Sequence, residues 1–302
     1  MKQEFYSHGK LLITAEYLVL DGANALAFPT KFGQSMLVNP GKKNFITWKS
    51  YDHTGALWLD VCFSMEEIRL FNRKVENDRD RLLSILMNAQ QMNPSFLGNT
   101  AGFSITTTLD FPNNWGLGSS STLINNLSKW AAIDPYKLLK VTFGGSGYDI
   151  AVANNEHPII YSKKEDKIQS KKQLIDWDFK DHLFFVHLNK KQNSRDGIAK
   201  YRKTRTNDAL PIQKMNELTS DLCNCNNLSE FEVLITRHEK IISNILQQKP
   251  IKEALFENYP GAIKSLGAWG GDFILVTGSA ENHQYFKDKG YETILPFGKM
   301  IL

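Results

Sequence analysis

The sequence is poor in cysteine and contains no long hydrophobic run. Its 302 residues include only three cysteines, Cys62, Cys223 and Cys225, which are too few for a disulfide framework. Cys223 and Cys225 also lack the second ligand pair that a structural zinc site needs. Apolar runs such as 183–186 are far shorter than the ~18 apolar residues of a membrane span. These absences exclude a disulfide-stapled domain, a zinc module and a transmembrane protein, so we expect no membrane partner.

The first residues also lack a secretory signal. The apolar stretch 11–20 is interrupted by Glu16, and no cleavage site of small residues follows it. We therefore expect a cytoplasmic protein.

An excess of one charge sign is missing overall but present locally. The chain has 36 Lys and Arg against 32 Asp and Glu, far from the composition of a dedicated nucleic-acid binder. Residues 186–206 contain seven basic residues and one acidic residue, a net +6. Tyr201 alone interrupts this run as an aromatic, so we expect no nucleic-acid partner. The run is either a solvated helix face or a collar for an anionic small molecule.

Composition and pattern predict a two-lobed α+β chain. With 42% hydrophobic and 23% charged residues, the chain can bury a substantial core. Strand patterns at 10–20 and 25–28 predict an opening β-hairpin around Asp21-Gly22. The polar stretch 162–180 is typical of a connection between lobes, which predicts domains 1–175 and 176–302. The order of strands and helices after it predicts an antiparallel sheet.

A glycine- and serine-rich loop lies between a predicted strand and a predicted helix. Backbone N–H groups at such a helix start favour an anion. The loop lacks the Gly-Lys-Ser/Thr end of a Walker A motif and the third glycine of a dinucleotide-binding fingerprint. A structural turn with a serine N-cap is the alternative. The loop consists of Gly116, Leu117, Gly118, Ser119, Ser120 and Ser121.

Two further glycine clusters, 144–147 and 267–271, each precede an aspartate, Asp149 and Asp272. Three glycine-rich loops beside polar residues predict a backbone-lined cleft, although an aspartate in a loop is also an ordinary turn former. Near the N-terminus, a strand period of two would place Lys10 and Glu16 on one face, where the alternative is an exposed salt bridge.

This ordered set resembles the GHMP kinases, the superfamily of galactokinase, homoserine kinase, mevalonate kinase and phosphomevalonate kinase. Residues 7–17, 115–122 and 267–272 resemble its first, second and third motifs. The segment Ser146-Gly147-Tyr148-Asp149-Ile150-Ala151 is similar to the segment that carries the catalytic aspartate of mevalonate and phosphomevalonate kinases. Its letters Gly-Tyr-Asp-Ile-Ala also resemble the signature that names a bacterial subgroup. The resemblance covers nearly the whole chain.

The resemblance implies a GHMP kinase fold, with an N-terminal lobe like domain 2 of ribosomal protein S5 and a ferredoxin-like C-terminal lobe. It implies ATP and Mg²⁺ as cofactors, with ATP in a cleft between lobes. The amides of 116–121 would cradle the ATP phosphates, and Ser120 would approach Mg²⁺. Both a monomer and a homodimer are compatible with it.

The resemblance also implies roles for individual residues. Asp149 would be the base or the group that orients the acceptor, and Lys10 would lie near the acceptor and the transferred phosphoryl group. Gly270 and Gly271 would keep the floor of the site free of side chains. The implied acceptor-binding set is Lys10, Glu16, Ser146, Gly147, Lys191, Ser194, Arg195, Gly270 and Gly271.

Three positions depart from the family pattern. His8 replaces a proline in the first motif, and Trp269 replaces a small residue in the third. Leu138 stands where mevalonate kinases carry a glutamate that helps to hold Mg²⁺. On a predicted helix outside these motifs, His238 is interpreted as a surface or packing residue.

The basic segment, residues 190–205, lies where phosphomevalonate kinases place a substrate loop. Its charge suits an acceptor that carries a phosphate and a carboxylate. A phosphate with a second pKa near ~6 needs orientation more than deprotonation. We therefore predict a phosphomevalonate kinase first, a mevalonate kinase second and a sugar kinase third. Leu138 and His8 leave open a non-catalytic nucleotide or metabolite sensor, although Lys10 and Asp149 argue against it.

Overall fold

A computed structural model describes residues 2–98, 102–165, 167–205 and 208–302, without the side chain of Ser194. The chain forms two compact units. The first contains residues 1–9, 32–113 and 118–154, and the second contains 10–31, 114–117 and 155–302. Each unit is assembled from separate chain segments, and the division into lobes at residue 175 stays a prediction.

The first unit contains a mixed sheet with helices. β2 pairs antiparallel with β5, β5 pairs parallel with β3, and β3 pairs antiparallel with β4. β1 pairs with β2. Residues 10–12 of β1 and 25–31 of β2 belong to the second unit. The elements are β1 (Gln3–Leu12), β2 (Ala25–Pro40), β3 (Phe45–Tyr51), β4 (Leu57–Ser64), α1 (Met65–Arg69), α2 (Asp78–Met92), β5 (Phe103–Leu109), α3 (Ser119–Ala131), α4 (Pro135–Thr142) and α5 (Tyr148–Ala153).

One apolar core fixes the helices of this unit. On β3, Ile46, Trp48 and Ser50 are buried and the residues between them are more exposed, because alternate strand residues face one side. Leu127 of α3 and Ile150 of α5 belong to the same buried cluster as Trp48. Each fully buried aliphatic side chain contributes ~1.5–3 kcal/mol. The core therefore holds α3 and α5 together, and both helices begin at glycine motifs.

The second unit contains a separate antiparallel sheet in the order β11-β8-β10-β9, which confirms the predicted antiparallel sheet. A hairpin of β6 and β7 adds to residues 25–27 of β2. The elements are β6 (Ile159–Lys164), β7 (Lys167–Lys172), β8 (Leu183–His187), α6 (Ser194–Thr204), α7 (Leu210–Asn224), α8 (Leu228–Leu246), α9 (Ile251–Leu255), β9 (Ile263–Ser265), β10 (Phe273–Thr277), α10 (His283–Lys287), β11 (Ile294–Pro296) and α11 (Phe297–Met300). Every helix in the described part of the chain is too short or too polar to span a lipid bilayer.

An aromatic cluster around Trp177 joins several parts of the second unit. The Trp177 ring lies 5.8 Å from the ring of Phe28, 4.9 Å from that of Phe231 and 6.1 Å from that of Phe297, centroid to centroid. Its indole Nε1 donates to Leu222 O at 3.1 Å. Because α7, α8 and α11 all contact this one side chain, Trp177 fixes their packing.

Two predicted elements are wrong. The strand predicted over 10–20 ends at Leu12, and Leu18–Asp21 forms a 3-10 turn. Ala15 and Tyr17 have φ values of 67° and 63°, a left-handed conformation that no strand can contain. The predicted connection 162–180 contains β7, whose exposed lysines are typical of a protected edge strand and resemble a linker in composition.

Candidate active site

The glycine- and serine-rich loop leads directly into α3. Gly116 and Gly118 have φ values of 68° and 90°, which glycine adopts without a steric cost. Gly118 precedes α3, and no side chain among the described residues caps the first N–H groups of this helix. Ser120 is exposed in the first turn, whereas Ser121 Oγ donates to Gly118 O at 2.8 Å. These N–H groups and the helix dipole suit an anion.

Asp149 lies in the first turn of α5 and not in a loop. Gly147, with φ 89°, supplies the left-handed turn that starts the helix, and Ser146 is buried beside it. The Asp149 Oδ1 atom is buried, and no described residue forms a hydrogen bond with it. A buried carboxylate oxygen without a partner is costly, so it marks an atom that a ligand can satisfy.

The described side chains near this motif supply too few grouped ligands to hold Mg²⁺ by themselves. Leu138 is fully buried in the apolar core with Leu127 and Ile150, so this position offers no ligand. Within the described ranges, no three His, Cys, Asp or Glu side chains are arranged to hold a metal. The hydroxyl of Ser120, predicted to approach Mg²⁺, is exposed and is an oxygen of the kind that this ion binds. One or two such oxygens together with phosphate oxygens are a typical Mg²⁺ environment.

Within the second unit, the start of the glycine- and serine-rich loop contacts Lys10 of the first motif and Asp272 of the third motif. The backbone N–H of Lys10 donates to Leu117 O at 3.0 Å, and Lys10 Nζ donates to Gly116 O at 3.2 Å. Asp272 Oδ1 accepts the Gln192 N–H at 3.2 Å. A Cβ placed on Gly116 would lie 2.5 Å from Asp272 Oδ2. Asp272 therefore contacts both the glycine-rich loop and the basic segment.

Sequence reasoning noted Asp272 only as the end of the third motif. Asp272 is 8% exposed, and its φ is 54°. Burial raises the pKa of Asp272, and the opposing effects of the Gln192 N–H and of the charges on Lys10, His187 and Lys191 leave it above its usual value. The sequence feature that could have identified Asp272 as a site residue is its place directly after Gly270 and Gly271.

Gly270 and Gly271 lie against the basic segment. A Cβ on Gly271 would lie 2.7 Å from Lys190 O, and one on Gly270 would lie 3.0 Å from Gln192 Nε2. Gln192 Nε2 also donates to Trp269 O at 3.0 Å. The absence of side chains at these glycines thus lets the segment around Gln192 approach the third motif.

The remaining basic residues of the predicted acceptor set lie beside this contact. Lys191 is exposed, and its charge acts on Asp272. Arg195 is exposed in the first turn of α6, where its N–H donates to Asn193 Oδ1 at 3.1 Å. The side chain of Ser194 lies outside the described residues.

Glu16 does not share a strand face with Lys10, and the alternative of an exposed salt bridge is also wrong. β1 ends before Glu16, whose side chain is 1% exposed. Glu16 Oε1 accepts a hydrogen bond from Lys264 Nζ, and its Oε2 lies 2.9 Å from His238 Nε2. Both oxygens face protein groups, and a role of Glu16 toward the acceptor stays a prediction.

Glu16 belongs to a buried cluster of four ionisable groups that sequence reasoning missed. Lys264 and His238 are fully buried, and Glu239 is 3% exposed. Glu239 Oε2 accepts from Ser265 Oγ at 2.9 Å, and Glu239 Oε1 lies 3.9 Å from His238 Nδ1. His238 had a signal in the sequence, because it lies three residues after Ile235 and four before Ile242 and so shares their buried face of α8.

The protonation states in this cluster follow from burial and pairing. Burial alone would raise the pKa of Glu16, but the charges and hydrogen bonds of Lys264 and His238 outweigh it and lower that pKa. Burial and the Lys264 charge lower the pKa of His238 despite Glu16. Burial raises the pKa of Glu239 to about 8. At neutral pH the cluster thus holds one ion pair, a neutral histidine and a protonated Glu239.

We predict that Glu239→Gln flattens the pH dependence of stability. The pKa of Glu239 is about 8 in the folded chain, above its ordinary value, so the unfolded chain loses this proton first. Stability then falls as the pH rises from the ordinary pKa to about 8, and glutamine removes this loss. Melting temperatures measured between pH 5 and pH 8 should diverge in favour of the variant as the pH rises.

Glu230→Gln is the matched control, because Glu230 is an exposed glutamate in the first turn of the same helix. It should follow the wild type at every pH. Parallel melting curves of wild type and Glu239→Gln would show that Glu239 does not hold a buried proton.

A second prediction concerns the contact between Gly116 and Asp272. Gly116→Ala should lower the melting temperature more than Gly144→Ala. Both glycines have φ near 70°, but an added Cβ collides with Asp272 only at Gly116, whereas it meets open space at Gly144. Left-handed strain, ~1–2 kcal/mol, is common to both variants. The excess should shrink in an Asp272→Ala background, and equal effects of the two alanines would contradict the contact.

Comparisons with known proteins bear on the fold. No protein-family profile matches this sequence, and no curated protein sequence matches it. Among solved structures, mevalonate kinase from Methanococcus jannaschii superposes with a TM-score of 0.72 at 15% identity, over 98% of this chain and 97% of that chain. Streptococcus pneumoniae phosphomevalonate kinase in complex with phosphomevalonate and AMPPNP superposes with a TM-score of 0.70 at 14% identity, over 97% of this chain and 99% of that chain.

Lactococcus lactis galactokinase complexed with galactose gives a TM-score of 0.69 at 13% identity, over 97% of this chain and 92% of that chain. The matches extend over nearly the full length of each chain, so they concern the whole architecture and not one shared motif. All three are GHMP kinases. The chain is therefore an α+β protein with the fold of the GHMP kinase superfamily.

Proposed function

We propose that this chain is an ATP-dependent small-molecule kinase that transfers the γ-phosphoryl group to an isoprenoid-precursor acceptor, phosphomevalonate. The observation that carries this proposal is the carboxylate of Asp149, which has a buried oxygen without a partner among the described residues. It stands in the first turn of a helix within the motif that resembles the family's catalytic segment. A shared fold with three kinases of small molecules supports the same reaction class.

In this proposal the backbone of the glycine- and serine-rich loop binds the ATP phosphates. The uncapped N–H groups of Ser119 and Ser120 at the start of α3 would contact phosphate oxygens. The hydroxyl of Ser120 would approach Mg²⁺, which supplies neutralisation and orientation of the phosphate oxygens. Lys10, tethered at Gly116 O, would place its positive charge near the transferred group.

Positive charge beside Asp272 supports an anionic acceptor. Lys10 and Lys191 both act on the Asp272 carboxylate, and Arg195 lies four residues farther along the basic segment. An acceptor phosphate is largely dianionic at neutral pH, so Asp149 would orient it and need not remove a proton. An alcohol acceptor would instead depend on Asp149 as a base.

Two alternatives are each favoured by an observation. A mevalonate kinase is the second candidate, because a mevalonate kinase superposes on the chain as well as a phosphomevalonate kinase does. A non-catalytic sensor of a nucleotide or metabolite is the alternative from a different functional class. The burial of Leu138 favours it, since this position then supplies no metal ligand.

The test is Mg-ATP-dependent release of ADP with mevalonate, 5-phosphomevalonate and a panel of sugars. We expect turnover on 5-phosphomevalonate that falls at least about tenfold in Asp149→Asn and in Lys10→Met, because each removes a group that acts on the transferred phosphoryl group or its acceptor. Asp178→Asn, a change at an exposed aspartate, is the control and should match the wild type.

Other outcomes of this assay would favour a different function. Turnover on mevalonate alone would favour the mevalonate kinase. No turnover on any acceptor, with ATP binding intact, would overturn the kinase proposal and favour the sensor.

A further inference from the structure

A chain of polar side chains, buried on α3 and β1 and exposed at its α5 end, connects α5 to α3 and β1 in the first unit. Asn125 of α3 and Ser7 of β1 are both fully buried. Asn125 Nδ2 donates to Ser7 Oγ at 2.8 Å and to Asn154 Oδ1 at 3.0 Å. Asn154 is the residue at which α5 ends. One amide group therefore bonds the strand that leads to Lys10 and the helix that carries Asp149.

Donors and acceptors alternate consistently along this chain. Asn154 Nδ2 donates to Ile150 O at 3.4 Å, which leaves Asn154 Oδ1 to accept from Asn125. Ser7 Oγ donates its single proton to Asn126 Oδ1 at 2.6 Å, so its lone pair accepts from Asn125. Because both neighbours of Asn125 offer acceptors, its amide can satisfy them only with Nδ2 directed between them.

Stability alone does not explain an asparagine at this position. Asn125 Oδ1 is buried and has no hydrogen-bond partner among the described residues. Burying a polar atom without a partner costs free energy, and an apolar side chain of similar volume would avoid this cost. Its neighbours Ile124 and Leu127 on α3 are apolar and belong to the core. The Asn125 amide thus forms directed hydrogen bonds to Ser7 of β1 and to Asn154, which an apolar residue could not form.

We propose that Asn125 is a positioning residue that holds the helix carrying Asp149 in register with the helix that begins at the phosphate-binding loop. α5 spans only Tyr148–Ala153, so its end at Asn154 and the carboxylate of Asp149 belong to one short rigid element. The inference rests on the proposed kinase function. A misplacement of about 1 Å at the reacting groups can lower a rate by up to about 100-fold, so a small rotation of α5 would matter.

Asn125 Nδ2 donates to Asn154 Oδ1 and, at 3.5 Å, to Ala153 O of α5, and Asn125→Leu removes both bonds. Asn154→Ala removes the shorter of the two, whereas Asn154→Asp keeps the accepting oxygen. We expect kcat to fall about tenfold in the first two, with KM for ATP changed less than about twofold, because phosphate binding stays intact. Asn154→Asp should retain kcat. The double variant should be no slower than Asn125→Leu, because both changes break the same bond.

Asn126→Leu is the matched control. Asn126 is also a fully buried asparagine of α3, but it bonds Ser7 and Gln34 O and not α5. It should lower the melting temperature and leave kcat within about twofold of the wild type. A loss of kcat in Asn126→Leu equal to that in Asn125→Leu would overturn the positioning role.

Hydrogen exchange of the α5 amides provides a readout that needs no turnover. Exchange at residues 150–153 should become faster in Asn125→Leu and Asn154→Ala, and not in Asn126→Leu. If the wild type is active and kcat is unchanged in both Asn125→Leu and Asn154→Ala, the positioning role of Asn125 is overturned, whatever the exchange rates. The proposed kinase function is then unaffected. A wild type that turns over no acceptor overturns the proposed function itself, and the two failures are thereby distinguishable.

Discussion

The ion pair between Glu16 and Lys264 is the interaction on which the local arrangement of the second unit depends. Both side chains are almost completely buried, and loss of one partner from such a pair typically costs ~3–5 kcal/mol. Glu16 lies just after the strand that carries Lys10, and Lys264 lies just before the third glycine motif. The pair therefore ties the two chain segments that contact Gly116, one through Lys10 and the other through Asp272.

Buried polar groups connect distant chain segments at three places in this molecule. The Glu16 cluster and Asp272 do so in the second unit, and Asn125 does so in the first. Apolar side chains at these sites would avoid the cost of desolvation, but they would not fix direction. A hydrogen bond or ion pair specifies both distance and angle, which is what a phosphoryl-transfer site requires of its supports.

Local signals in the sequence were sufficient for elements whose partners are close along the chain. The helix predicted directly after the glycine- and serine-rich loop is α3, whereas the second glycine cluster was interpreted as a loop and gave no sign of the short helix α5 that begins there. The end of β1 could not be predicted, because apolar and β-branched residues continue to residue 20 while the turn at Glu16 depends on a partner 248 residues away. Nothing in the sequence around Lys264 marks it as the partner of that carboxylate.

In the proposed function, the γ-phosphoryl group of ATP moves to the phosphate of an anionic acceptor. Phosphorus NMR of the wild-type protein with Mg-ATP and 5-phosphomevalonate observes this bond directly. The account predicts a new pair of coupled diphosphate signals attached to the acceptor, formed in equal amount with ADP. ADP accompanied only by inorganic phosphate, or ATP that is not consumed, would contradict it.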